Sequence, residues 1–383
     1  MSEPASPPRP GPSARAAVRT RLWRDGRLTA TPFALGDLDT HLADPAALAW
    51  VDLVAPGRDR IAELATELNI SGQSVEDILA HLERPKAMRH GDRVVLTMYA
   101  TSLDDEPAGD RADRTDRADR AERTERADRA ERTERAEHQS RLRLAKISAI
   151  VLPRALITIR PDDAFPIEEV LARWDDNADL LVRSGPAGVG ALTHGLIDAV
   201  VDSHFETIQR IDDAIEDIED VLFQDPAPTR EVQQAIYRMR KELVQLRRVV
   251  LPMRELVNGV LRHREPRPGD AAAVAGEATL RPWYDDLYDH VLRAAEWTES
   301  LRDMVSSVFE TNLSLQDARL NSVMKKLAAW AAIIAVPTAV TGWFGQNVPY
   351  PGFQDTAGLW QSVVLVVVGA VGLYVAFRRR DWL

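Results

Sequence analysis

The chain has 383 residues, 48 Lys+Arg against 59 Asp+Glu for a formal net charge of −11, and no cysteine. That balance argues against a general affinity for nucleic-acid phosphates, and the missing thiol excludes disulfide scaffolds, thiolate zinc sites, iron–sulfur clusters and cysteine nucleophiles. The length allows two or three soluble domains or one domain plus membrane-embedded helices, and long apolar stretches, nearly all after residue 326, select the second.

Residues 1–20 open with MSEPASPPRPGPSAR, rich in Pro and Ser without an apolar core, and read as a disordered tail rather than a targeting signal. Residues 21–185 alternate β-rich runs (49–54, 94–100, 142–152 and 156–160) with helical patterns (59–68, 74–81 and 166–182), which predicts a mixed α/β cytoplasmic domain. Inside it, residues 105–138 are a charged low-complexity insertion in which acids and arginines each recur every third position. As a helix it would set Asp116 by Arg120 and Glu122 by Arg126, worth about 0.2–0.5 kcal/mol per pair. It has no apolar face to dock, so disorder fits equally well, and it is read as an insertion without a catalytic role.

Residues 186–326 read as a helical stalk. Leu192–Phe223 carries apolar residues at helical spacing up to the break at Asp225-Pro226, and Thr229–Arg262 forms a second helix. A third begins at Pro282 and meets no further Pro or Gly before Pro337; as one helix, Asp285–Trp343 would be about 90 Å long. Residues 327–344 and 359–377 are uncharged, about 27 Å and 28 Å long as helices, and are read as two membrane crossings. Residues 345–358 hold two prolines, three glycines and one acid, and turn the chain outside the hydrocarbon. Lys325 and Lys326 precede the first crossing, and Arg378, Arg379 and Arg380 open the basic tail 378–383, while the loop has no base. Both termini are therefore expected in the cytoplasm of a multi-pass protein of the cell membrane, with Trp330 and Trp382 at the inner surface and Trp343 and Trp360 at the outer.

An enzyme is not expected. The eight histidines are scattered, no serine sits in a nucleophile elbow, and no phosphate-cradling Gly-rich loop with a following Lys occurs, so no cofactor is implied.

An α/β head, antiparallel helices, a very long helix entering the membrane, two C-terminal crossings, Gly-x-Asn at the first exit and a basic tail ending in Trp-Leu resemble the CorA family of divalent-cation channels. Val75-Glu76-Asp77-Ile78-Leu79, Arg84-Pro85-Lys86, Leu196–Asp217, Asp286–His290 and Asn321–Leu327 match in order and spacing. The fold class so expected is α+β: a cytoplasmic α/β head, a long helical stalk and two transmembrane helices in a homopentameric channel. The family's exit signature is Gly-Met-Asn, whereas this chain has Gly345-Gln346-Asn347; the zinc-transporting branch likewise varies the middle residue.

Two crossings per chain cannot enclose a water-filled path, so a pore needs several copies around an axis, and the resemblance implies five. Positions three or four apart on the first crossing would face that axis: Asn321, Met324, Leu327, Ala331, Ala335, Thr338, Gly342 and Gly345. Met324 and Leu327 could gate by dewetting or simply pack, and Thr338 could offer an oxygen to the path or satisfy the carbonyl freed near Pro337. Gly345 and Asn347 alone would read as a helix terminus. With the resemblance, Gly345, Gln346 and Asn347 become the selectivity mouth, an amide ring hydrogen-bonding to the water shell of Mg²⁺. The resemblance also places regulatory metal sites at subunit contacts, with Asp77 and Asp286 first and Glu76 and Asp202 behind them. Expected partners are divalent cations, the lipid bilayer and further copies of the chain, but not nucleic acid. The implied function is passive Mg²⁺ or Co²⁺ influx, gated by cytoplasmic metal. The alternatives are zinc transport and a non-transporting membrane-tethered helical scaffold.

Overall fold

The computed structural model describes residues 17–67, 72–80, 83–104, 140–224, 229–263, 271–346, 349, 351–352 and 355–383. The chain divides into two compact units, with the boundary between Val305 and Ser306.

In the first unit the described strands are β1 (Ala17–Arg24), β2 (Arg27–Ala30), β3 (Ala47–Val54), β4 (Lys86–His90), β5 (Arg93–Leu103), β6 (Leu142–Val151) and β7 (Ala155–Arg160). They form one sheet in the order β2-β1-β3-β7-β6-β5-β4, antiparallel except for the parallel pair β3 and β7. The strands are rich in Val, Ile and Leu, and successive side chains feed opposite faces. Trp50 and Leu156 point to one core, and their neighbours Val51 and Ile157 to the other. Small helices α1 (Leu38–Leu42), α2 (Arg58–Glu67) and α3 (Gly72–Leu79) accompany the Val51 face, where Leu38, Ile61, Leu64 and Ile78 complete the core.

The other face carries α4 (Ile167–Asp176), α5 (Ala178–Ser184), α6 (Gly188–Leu222), α8 (Met253–His263) and the start of α9 (Ala271–Phe344), while α7 (Thr229–Val250) packs against α6. Trp174 anchors this layer edge-on to Trp23 and Trp50, with ring centroids 6.0 and 5.3 Å away, and donates its indole N–H to the Leu192 carbonyl at 3.1 Å. Gly195 makes that fit possible, because a Cβ there would lie 2.7 Å from Trp174 Nε1. The parallel pair is tied by a buried ion pair: Arg160 on β7 reaches Asp52 on β3 at 2.8 Å and also donates to the Phe165 carbonyl at 2.8 Å. Thr158 supplies a further hydrogen bond to Asp52 at 2.7 Å.

Several predicted boundaries move. Strand β1 begins at Ala17, within the stretch read as a disordered tail, because its pairing with β3 runs from Ala17↔Val54 to Arg24↔Ala47. The helix predicted over 166–182 is two helices hinged at Asn177. The helix predicted over 229–262 is also two, divided at Leu251-Pro252, where the proline has no N–H to continue the ladder. Pro282 does not start α9 but lies inside it, leaving the Ala278 carbonyl without its helical donor. Burial of Leu280 and Tyr284, and the approach of Gly276 to the Ser184 carbonyl, hold the helix through this position. The charged insertion 105–138 lies outside the described residues.

The second unit holds the rest of α9 and α10 (Thr356–Arg379). Their most apolar windows are 6% and 0% buried, the reverse of a soluble core helix, so both are candidate membrane spans. Helix α10 extends beyond the predicted 359–377 at both ends.

Candidate functional site

Over residues 321–344 of α9 most positions are exposed, and those that are not fall in one row. Ala329 is buried, and Ala332, Ile333, Val336, Pro337, Val340 and Phe344 are half-buried. Val336 in this row meets α10 at Gly369, where an added Cβ would lie 2.7 Å from Val336 Cγ1. Small residues at such points let membrane helices approach closely. Asn321, Met324, Leu327, Ala331, Ala335, Thr338 and Gly342 are all exposed. At about 100° per residue their row centres about 180° from the one α10 covers. The structure thus places these seven away from the row that α10 contacts.

Chemically that face is neutral. Thr338 donates its hydroxyl hydrogen to the Ile334 carbonyl at 3.1 Å, and Thr341 donates to the Pro337 carbonyl at 2.8 Å. The carbonyl that Pro337 frees is that of Ile333, so Thr338 does not satisfy it. Its hydroxyl oxygen keeps lone pairs that can accept a hydrogen bond. At the exit, the Gly345 N–H still bonds the Thr341 carbonyl at 2.8 Å, and Gln346 N–H bonds the Trp343 carbonyl at 3.3 Å. A Cβ at 345 would lie 2.9 Å from the Thr341 carbonyl oxygen, a local reason for glycine there. Gln346 is exposed. Asn347 lies outside the described residues.

The four cytoplasmic carboxylates fare differently. Glu76 on α3 is exposed, and the side chain of Asp77 lies outside the described residues. Asp286 on α9 is 71% exposed, with His290 Nε2 at 3.7 Å one turn on. Asp202 on α6 is engaged by the guanidinium of Arg173, which also holds Asp198 at 2.6 Å. Burial works against the charge of Arg173, but the two carboxylates outweigh it and raise its pKa. Asp202 is thus already paired with a cation of the chain, and Arg173 carried no signal in the sequence because the pairing joins α4 to α6. Among the described residues no group of three or more His, Asp or Glu is placed to hold a metal.

The profile of the CorA-like Mg2+ transporter proteins matches residues 130–379. The chain belongs to the CorA family. It is 32% identical over 195 residues to the cobalt/magnesium transport protein CorA of Thermotoga maritima, a stretch that covers 50% of this chain and 52% of that protein. The alignment thus spans about half the length of that CorA relative. It is also 26% identical over 252 residues to the zinc transport protein ZntB of Yersinia enterocolitica, covering 63% of this chain and 69% of that one. The complete structure of the CorA magnesium transporter from Methanocaldococcus jannaschii superposes with a TM-score of 0.64 at 19% identity, over 96% of this chain and 98% of that one. The CorA fold, an α/β head with a long helix and two candidate C-terminal membrane helices, is therefore shared.

Proposed function

We propose that this CorA-family chain is one subunit of a homopentameric channel that passes hydrated divalent cations, Mg²⁺ or Co²⁺, down the membrane potential into the cytoplasm. The observation that carries the reading is the exposed row from Asn321 to Gly342, set opposite the face that α10 covers. Copies packed with these rows inward would enclose a path of neutral oxygens and small side chains. Mg²⁺ sheds its waters reluctantly, so such a lining passes the hydrated ion where carboxylates would trap it. A potential of 100 mV supplies roughly 4.6 kcal/mol to a divalent ion, enough to drive influx without a nucleotide.

In this arrangement Gly345, Gln346 and Asn347 form the outer mouth, and Met324 and Leu327 form apolar rings at the cytoplasmic end that close by dewetting. Asp77 and Asp286, with Glu76, are the regulatory metal ligands across subunit contacts. Asp202 joins them only when Arg173 lets go. Both termini lie in the cytoplasm, on the side of Lys325, Lys326 and Arg378–Arg380. The protein acts as a conduit and not as an enzyme.

Zinc transport is the second reading, favoured by Gly345-Gln346-Asn347 in place of Gly-Met-Asn and by the likeness to ZntB. Uptake of Mg²⁺, Co²⁺, Ni²⁺ and Zn²⁺ into vesicles holding wild type or Asn347→Ala decides between them. Magnesium or cobalt flux that falls at least tenfold in the variant is expected. Flux of zinc alone would favour the second reading, and no cation flux from wild type would defeat both.

A further inference from the structure

The C-terminal end of α10 is built, not frayed. Trp382 N–H donates to the Phe377 carbonyl at 3.0 Å, Asp381 N–H donates to the Arg378 carbonyl at 3.4 Å, and Asp381 itself takes a left-handed φ of 54°. These are the two bonds of a Schellman turn, and its customary apolar contact is present as well. The Trp382 ring stacks on Phe377, with centroids 5.4 Å apart and planes at 18°. The chain therefore folds back on itself, and Arg378, Arg379 and Arg380 are exposed around the end of the helix, where the helix dipole favours positive charge.

The level at which those cations sit follows from the contact between the two crossings, Val336 against Gly369. Counted from there along antiparallel helices at 1.5 Å per residue, Lys325, Lys326, Arg378, Arg379 and Arg380 all lie about 14–17 Å away on the same side. Half the thickness of a bilayer's hydrocarbon core is about 15 Å, so all five reach the headgroup level together. Trp330 and Tyr374 lie about 8–9 Å from the same contact, at the depth of an aromatic belt. Asp381 is the one acid in residues 322–330 and 374–383.

We propose that this surface binds the phosphates of anionic phospholipid headgroups in the cytoplasmic leaflet. Guanidinium groups pair with phosphate oxygens through two parallel hydrogen bonds, and five cations at one level repel the ammonium of a choline headgroup. The turn matters as much as the charge, because an unfolded tail would carry Arg380 away from that level. The inference rests on the reading of α9 and α10 as membrane crossings and not on ion transport.

The test uses the full chain in phosphatidylcholine bilayers doped with spin-labelled phosphatidylglycerol or spin-labelled phosphatidylcholine, reading the motionally restricted fraction by electron paramagnetic resonance. Wild type should favour phosphatidylglycerol several-fold, and the preference should weaken as salt rises. Arg378→Gln, Arg379→Gln and Arg380→Gln together should bring the ratio towards one. Trp382→Ala, which keeps every charge but opens the turn, should lower it as well, whereas Asp381→Gly should preserve it. A wild-type ratio of one, a ratio unmoved by the triple change, or no response to salt would overturn the proposal. Displacement of the labelled lipid by inorganic phosphate at constant ionic strength would reassign the surface to a soluble anion and overturn it too. If neither lipid is restricted at all, it is the membrane reading that fails.

Discussion

His204 makes a quantitative prediction about acid. It sits on α6 at 1% exposure, with Nε2 2.8 Å from the Tyr99 carbonyl of β5. The imidazole is therefore neutral and donates from Nε2. Burial pushes its pKa from 6.5 down to about 4, against a smaller opposing effect of the Tyr99 hydrogen bond. Above pH 6.5 the ring is neutral in both folded and unfolded chains, and it contributes no pH dependence. Between pH 6.5 and pH 4 the unfolded chain takes up a proton that the folded one refuses, so stability falls by about 1.4 kcal/mol per pH unit. At pH 5 the loss is about 2 kcal/mol, and below pH 4 it levels off at about 3.4 kcal/mol. His204→Gln can keep a donor towards Tyr99 but cannot titrate. Guanidinium unfolding of the detergent-solubilised protein, followed through the Trp23, Trp50 and Trp174 cluster, should give a shallower acid slope for the variant by about 1.4 kcal/mol per pH unit. Its lower stability at neutral pH does not matter, since the slope carries the comparison. Parallel slopes for the two proteins would refute the buried neutral imidazole.

Three other perturbations test separate parts of the molecule. Asp52→Ala leaves the Arg160 guanidinium buried without its main partner and should cost about 3–5 kcal/mol in urea unfolding, part of which Arg160→Met should return. Gly369→Val forces a side chain against Val336 and should lower stability in mixed micelles by about 1–3 kcal/mol. Gly372→Val, where a Cβ would meet nothing within 4 Å, should change it little. Leu327→Ser should wet the proposed gate and raise resting Mg²⁺ uptake into vesicles several-fold, and uptake equal to wild type would remove Leu327 from the gate.

Much of the head was legible because its strands are short runs rich in β-branched residues, as over 94–100 and 156–160. The β1–β2 hairpin was missed, although its signal was present. Asp25-Gly26 forms the two-residue turn, with φ of 51° and 73°, and an added Cβ at Gly26 would strike the Val182 backbone at 2.5 Å. Pro282 misled in the other direction. Local propensity favours proline at a helix start, but burial of Leu280 and Tyr284 against the head carries α9 back to Ala271.

The row from Asn321 to Gly342 shows where each kind of information stops. Periodicity and the absence of charge determine that these residues share one side of an apolar helix, because the 3.6-residue repeat is a property of the backbone. Periodicity cannot say which side remains open. That depends on where α10 packs, a choice made by the close fit of Gly369 on Val336. The same limit applies to Asp202. Its charge was plain in the sequence, but the claim of Arg173 upon it arises from the packing of α4 against α6, which no local pattern encodes.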